Sequence, residues 1–555
     1  MNKRIPLIAK DLKRLYTGVL IAALVLFVLC SWLTNFNPMT LIANGDAFVE
    51  FITQDFLPPA LPKASRIPGV LESVVVTLAL ALSSTTVAAI LAFFVALFGS
   101  EKVSPFPKAA KFVRGFATFL RNIPALVWAF ILFSSLGIGT GVGFVALCIT
   151  SFAFLVRAFV ETMEDVSQDC VESLQAVGAS FPQRVSQAIL PSCLSGFLSW
   201  FLYSVEVNIR ASTIVGMVGG GGVGLTLFSY IKSFQYDIAL SIILLVAVMV
   251  IVVDQITGKL RKELLNEMNL QYSGEPGSSL ELEETAPTLE KLRHPKRIPV
   301  KCRQRNRFIP AFLIGVAVLS LVSLLYLGID WGKMASRIPD IGVVFWDLTH
   351  LDFSNMDLIF SSLVETVSIA VLSLLYSLVL GVVFGMLAAR NVFRLPVLSV
   401  ATQALFTFLR AVPTPVWVLL MLVCLGMGPE AGVAGLCVHT TAFFTKSFAQ
   451  SFESIPEETI EALEVTGASR LSIFCNAILP AAFSQIVAWA GMRLETNFSE
   501  CAILGMVGAG GIGYVISNSL QGYDYGTAGV AILLVFLIAY AIERLFVSIK
   551  KKFHQ

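Results

Sequence analysis

Charged side chains are scarce in this chain. They make up 14% of its residues, whereas a soluble domain carries about a quarter. That scarcity excludes an ordinary water-soluble globule. The formal net charge is only +2, and the basic residues flank apolar runs, so no nucleic-acid surface is expected. There are four histidines (His294, His350, His439 and His554), at no metal-ligand spacing, and no metal site is expected. Nine cysteines are present, but none forms a CxxC pair. Cys30, Cys148, Cys193, Cys424 and Cys437 lie in apolar runs, so neither a disulfide framework nor a zinc site is supported. A GxxxxGK-S/T phosphate loop is also missing, so no nucleotide cofactor is expected in this chain. Nothing here points to an enzyme.

Hydrophobic residues are abundant, at 56%, and mean hydropathy is +0.80. The fold class expected is an all-α polytopic membrane protein. Apolar segments centre near residues 17–35, 70–98, 117–136, 140–161, 185–209 and 236–256. A second set centres near 309–328, 361–388, 403–427, 431–450, 475–498 and 527–548. The basic start (Lys3, Arg4, Lys10, Lys13, Arg14) precedes an apolar run with no small-residue cleavage site, which reads as an uncleaved first helix. With Lys102, Lys108, Lys111, Arg114 and Lys550–Lys552, it predicts cytoplasmic N- and C-termini. Residues 36–69 and 329–358 then lie outside.

The two sets are copies. Ser73 and Thr77 recur as Ser362 and Thr366. Arg121, Pro124 and Trp128 recur as Arg410, Pro413 and Trp417, always 289 residues on. This predicts two parallel tandem repeats of about six transmembrane helices, with a pathway between them. The expected division is residues 1–256, a linker at 257–308, and residues 309–555. Residues 273–288 (SGEPGSSLELEETAPT) are polar, acidic and turn-rich, and read as a flexible cytoplasmic tether.

Three repeated features stand out. The first is VESLQAVGASFPQRVSQAILP (171–191), echoed by IEALEVTGASRLSIFCNAILP (460–480). Each is a short helix too polar to span, followed by a glycine turn at Gly178 or Gly467 and then Pro191 or Pro480. Leu174 and Val177 share a face, which must be covered by the protein or by a partner. The second is the pair GMVGGGGVG (216–224) and GMVGAGGIG (505–513). Each contains GxGxxG, but no strand–turn–helix unit surrounds it, so a dinucleotide site is rejected. Gly216, Gly219, Gly222, Gly505, Gly508 and Gly511 are read as a hinge, allowing tight turns or contact along a pathway. The third is the polar ends Glu206, Asn208 and Arg210, matched by Glu495 and Asn497, with Ser499 in place of the arginine. Arg210 either holds a passing oxyanion or pairs with Glu206 four residues away. Arg121 and Arg410 are expected to cap or snorkel at the inner face. Arg157 and Lys446 are expected to end their helices there.

The paired cytoplasm-type segments resemble the coupling motif of importer-type ABC permeases. RNIPALVW (121–128), EVNIRASTIVGMVGGGGVG (206–224) and GMVGAGGIG resemble the phosphonate/phosphite permease subfamily in particular. The resemblance implies an importer-type ABC transmembrane domain in the bacterial cytoplasmic (inner) membrane. It implies two copies of a nucleotide-binding ATPase subunit, which bind the ATP, and an extracytoplasmic substrate-binding protein. Glu172, Ala176 and Gly178 would couple to one ATPase, and Glu461, Ala462 and Gly467 to the other. The cargo implied is phosphonate, phosphite or a related small oxyanion. Alternatives are another small solute, such as an amino acid or betaine, or a stand-alone secondary transporter. Members usually carry one such domain per chain. Here two are fused, and they differ at Arg210 and Ser499.

Overall fold

A computed structural model describes residues 5–101, 103–166, 168–272 and 308–553. The described residues are mostly helical, with no strand among them. The principal helices of the first half are α1 (Ile5–Leu33), α2 (Ile67–Gly99), α3 (Pro107–Asn122), α4 (Ala125–Leu136) and α5 (Thr140–Val166). They continue as α6 (Gln168–Ala176), α7 (Leu190–Val215), α8 (Val223–Lys232) and α9 (Tyr236–Tyr272). The second half contributes α10 (Phe308–Tyr326), α11 (Ile338–Thr349), α12 (Met356–Ala388), α13 (Pro396–Ala411) and α14 (Thr414–Leu425). It ends with α15 (Pro429–Glu453), α16 (Glu457–Glu464), α17 (Leu479–Leu504), α18 (Ile512–Gln521) and α19 (Tyr525–Phe553).

Among the described residues, eight helices are long and apolar enough to cross a membrane, or ten if each bent pair counts as one span. The bent pairs are the third apolar segment of each half. Helices α3 and α4 meet at 85°, and α13 and α14 at 89°. Proline explains the bend. Ile123 and Val412 precede Pro124 and Pro413, are driven out of the helical region and take extended backbone. The last carbonyls of the first limb then lose their helical partners. The Trp128 indole donates to the Leu120 carbonyl at 3.3 Å, and the Trp417 indole to Leu409 at 3.2 Å. RNIPALVW and its copy thus encode a corner and its brace.

The repeat in sequence is a repeat in space. Thr77 Oγ1 accepts the Val223 N–H at 2.8 Å, and Thr366 Oγ1 accepts the Ile512 N–H at 2.8 Å. The Glu164 carboxylate takes the Glu101 N–H, and Glu453 takes that of Arg390. The two repeats are parallel and share one core. Leu126 and Val127 of the first half lie in the same buried cluster as Val418 and Ile512 of the second.

The first helix of each half sits on the other half. Helix α1 packs against α12, and α10 against α2. Phe27 and Phe36 both contact Tyr376, with ring centroids 5.7 and 6.2 Å apart. Thr86 and Ser320 hydroxyls lie 2.7 Å apart. Residues 257–272, assigned to the linker from sequence, continue α9 as helix. The extension fits its composition, since LRKELLNEMNL carries strong helix formers and no Gly or Pro. The remainder of the tether, 273–307, lies outside the described residues.

Candidate functional site

The two docking-type segments have the same construction. Val171 and Ile460 are buried and anchor α6 and α16 to the bundle. Glu172, Ala176, Gly178, Glu461, Ala462 and Gly467 are all exposed. Gly178 has φ +80° and Gly467 φ +77°, a left-handed conformation that costs a side chain energy. At the first copy the Ala179 N–H reaches back to the Leu174 carbonyl at 3.0 Å, closing the helix end. Leu174 and Val177 do not share one fate. Leu174 packs against the core that holds Val171 and Val160, while Val177 is 79% exposed. Val465 on the second copy is 89% exposed. Each segment therefore presents an acid, an alanine, an uncovered valine and an open glycine turn.

The glycine runs break α7 and α17 and return the chain as α8 and α18. Gly216 and Gly505 are helical but crowded, because a Cβ there would collide with the Gly221 or Gly510 carbonyl. Gly219 and Gly508 leave the helix with φ of +105° and +116°. Gly222 and Gly511, at +74° and +76°, lie directly over Thr77 and Thr366, the residues that cap the next helix. The halves differ here. The Gly511 N–H also donates to Glu365 at 2.9 Å, where the first half has Val76.

Ion pairs cross between the halves at matched positions. Arg121, at the end of α3, reaches Glu543 on α19 at 2.7 Å and Glu495 on α17 at 3.5 Å. Its counterpart Arg410 reaches Asp254 on α9 at 3.7 Å. The two arginines link the halves instead of capping their own helices. Arg157 and Lys446 do not end their helices either. They lie more than a turn inside α5 and α15. Arg157 contacts Glu161 and Glu543, both at 2.8 Å. Arg210 pairs with Glu206 at 3.1 Å and lies 3.8 Å from Asp254, while Arg261 is 3.9 Å from Glu206. The i, i+4 pair and a position at the inter-half junction therefore hold together. A cavity of ≈ 650 Å³ adjoins Arg157 and Glu543, and one of ≈ 320 Å³ adjoins Arg410 and Lys446.

The asparagines are placed elsewhere. Asn208 is 4% exposed and donates to Thr85 and Ser151 at 2.7 and 2.5 Å. Asn497 is fully buried, accepts from Thr440 at 3.0 Å and donates to Ser373 at 3.3 Å. Each ties three helices of its own half together, away from the junction. Sequence reasoning missed Asp254, Glu543 and Arg493. The second half lacks an arginine at Ser499, but Arg493 lies in the same helix, 3.2 Å from Glu500. Glu500 also accepts the Thr414 hydroxyl at 2.9 Å. The missed signal was an ionisable residue inside an apolar run, which has to find a partner.

A family model described as binding-protein-dependent transport system inner membrane component matches residues 88–265 and again 381–552. The chain is 28% identical over 520 residues to the phosphate-import permease protein PhnE of Mycolicibacterium smegmatis, covering 93% of this chain and 91% of that protein. It is 30% identical over 235 residues to the phosphite transport system permease protein PtxC of Stutzerimonas stutzeri, covering 42% of this chain and 84% of that one. Among solved structures it is similar to the methionine ABC transporter MetNI in an inward-facing form. That match has a TM-score of 0.33 at 24% identity, over 37% of this chain and 99% of that chain.

Proposed function

The chain belongs to the binding-protein-dependent transport system inner membrane components, and from that premise we propose that it is the fused permease subunit of an ATP-driven importer for phosphonate, phosphite, phosphate or a related small oxyanion. The relatives named for phosphate import and phosphite transport support this cargo class. The observation that carries the coupling reading is the pair of similarly built, exposed segments, α6 with Gly178 and α16 with Gly467. One ATPase subunit docks on each, through Glu172, Ala176 and Gly178 or through Glu461, Ala462 and Gly467. Their ATP-driven approach moves the halves, and a separate extracytoplasmic protein delivers the cargo. The N- and C-termini lie on the ATPase side of a bacterial cytoplasmic membrane.

The pathway lies along the junction where Glu206, Arg210 and Glu495 face the opposite half. Asn208 and Asn497 hold the helices that present them. The glycine breaks at Gly219, Gly222, Gly508 and Gly511 let α7 and α17 stop within the bundle, so that the chain turns where it lines the route. An oxyanion needs cationic groups along such a route, and Arg210 is one.

The test is uptake of labelled methylphosphonate by cells holding the binding protein and ATPase, with and without this chain. Chain-dependent uptake competed by phosphite or phosphate, and not by methionine or betaine, is the expected result. Competition by methionine or betaine instead would refute the oxyanion reading.

A further inference from the structure

The two halves treat equivalent cations differently. In the first half, Arg157 is held by two carboxylates at 2.8 Å, and Arg121 has Glu543 at 2.7 Å. In the second half, the position of Glu161 is Gln450, so Lys446 loses its neighbour's charge. No carboxylate of the described residues lies within 4.0 Å of its ammonium. The position of Glu543 is Asp254, one methylene shorter, and the arginine contact lengthens to 3.7 Å. The position of Glu101 is Arg390. Arg114, which pairs with Glu164 in the first half, is Gln403, so Glu453, the counterpart of Glu164, lacks that arginine and is the cavity's one acid.

The consequence is local. The cavity of ≈ 320 Å³ is lined by Arg390, Arg410 and Lys446, against one carboxylate, Glu453. That carboxylate already accepts the Arg390 N–H at 2.9 Å. Gln403 and Gln450 supply neutral polar walls. Arg390 and Lys446 are exposed, and Arg410 has, among the described residues, only Asp254, 3.7 Å away, so the cations at this cavity stay open to a further counter-charge.

We propose that this cavity, between α13 and α15, is a binding subsite for a small doubly charged tetrahedral oxyanion, with Arg410 and Lys446 as its ligands. This rests on the importer reading above and gives it a position: the cargo passes on the second half's side of the junction, not symmetrically. Arg410 offers a planar fork to two oxygens, and Lys446 a point charge to a third. The matching cavity of the first half has its cations satisfied internally and does not bind the anion.

The decisive variant rebuilds the first half's pairing in the second. Gln450→Glu places a carboxylate beside Lys446 as Glu161 stands beside Arg157, a geometry this fold already accommodates. The complete complex, permease with its ATPase and binding protein, is assayed for phosphate binding in detergent and for methylphosphonate uptake in proteoliposomes. Gln450→Glu and Lys446→Gln each weaken phosphate binding by about tenfold, and Lys446→Arg holds it within about threefold. Glu161→Gln, the mirror change, leaves it unaltered. Uptake by the unaltered chain together with unaltered phosphate binding in Gln450→Glu overturns the subsite and leaves the importer reading intact. No oxyanion uptake by the unaltered chain overturns both. If Gln450→Glu strips co-purified anionic lipid while phosphate binding holds, the cavity belongs to a headgroup and the subsite is overturned.

Discussion

Arginine at both Gly178 and Gly467 separates backbone strain from lost docking. Both glycines have φ near +80°, and no atom lies within 4 Å of where a Cβ would project. A side chain there therefore meets no neighbour in this chain. The internal cost is the left-handed backbone alone, roughly 1–2 kcal/mol per site. Asparagine adopts that conformation more readily than other residues, so Gly178→Asn with Gly467→Asn tests the turn with little added bulk. Arginine adds a long cation on the exposed side, where a docked surface would have to make room. A clash with a desolvated partner surface costs about 3 kcal/mol or more, about a hundredfold in affinity. The expected outcome is that both double variants insert and purify as the native chain does. The asparagine pair keeps its ATPase subunits and uptake, and the arginine pair loses both. Co-purification of the ATPase and ATP-dependent uptake, read side by side, give the answer. If the arginine pair still retains two ATPases and transports, docking at these turns is refuted. If the asparagine pair fails as badly as the arginine pair, the turn itself is what matters.

Two further outcomes follow from the packing. Asn208→Ala removes a side chain that satisfies Thr85 and Ser151, so the permease should lose about 1–3 kcal/mol of stability, seen as a lower melting temperature. The concentration of cargo giving half-maximal uptake should be unchanged, and a shift in that value without a loss of stability would place Asn208 on the route after all. Thr86→Cys with Ser320→Cys should form a disulfide on mild oxidation, because the two hydroxyls lie 2.7 Å apart across the halves. Fragments from a cut within 273–307 would then run as one species until reduced, and separate migration under oxidising conditions would contradict the packing of α10 on α2.

Much of this architecture is legible in the sequence because it is local or periodic. Apolar runs mark spans, Pro124 and Pro413 mark bends, and Gly178 and Gly467 mark left-handed turns, each through one residue's own conformational limits. The repeat at 289 residues then doubles every inference. The partners of Arg121 and Arg410 were not legible, since Glu543 and Asp254 lie in the last helix of the opposite half and no local pattern ties them to a bend. Their matched offset was available, and an acid in an apolar run was itself a signal. Asn208 was misleading because one turn of helix holds Glu206, Asn208 and Arg210 together. Two of those side chains meet Asp254 and Arg261, and one faces Thr85 and Ser151. Which half receives the first helix could not be read at all. Helices α2 and α12 are copies, so apolar complementarity suits α1 to either.

That exchange of first helices sets an order in time. Thr86 emerges from the ribosome 234 residues before its partner Ser320. At common elongation rates of about 5–20 residues per second, the wait is roughly 10–50 s. Through that interval α2 lacks α10, and α1 waits longer still for Tyr376 on α12. The first half therefore cannot complete its own outer wall as it is made. Its biogenesis ends only when the second half has entered the bilayer and each half has closed over the other's open flank. Fusion into one polypeptide guarantees that the awaited helix arrives on the same chain, and is never one that must be found by diffusion.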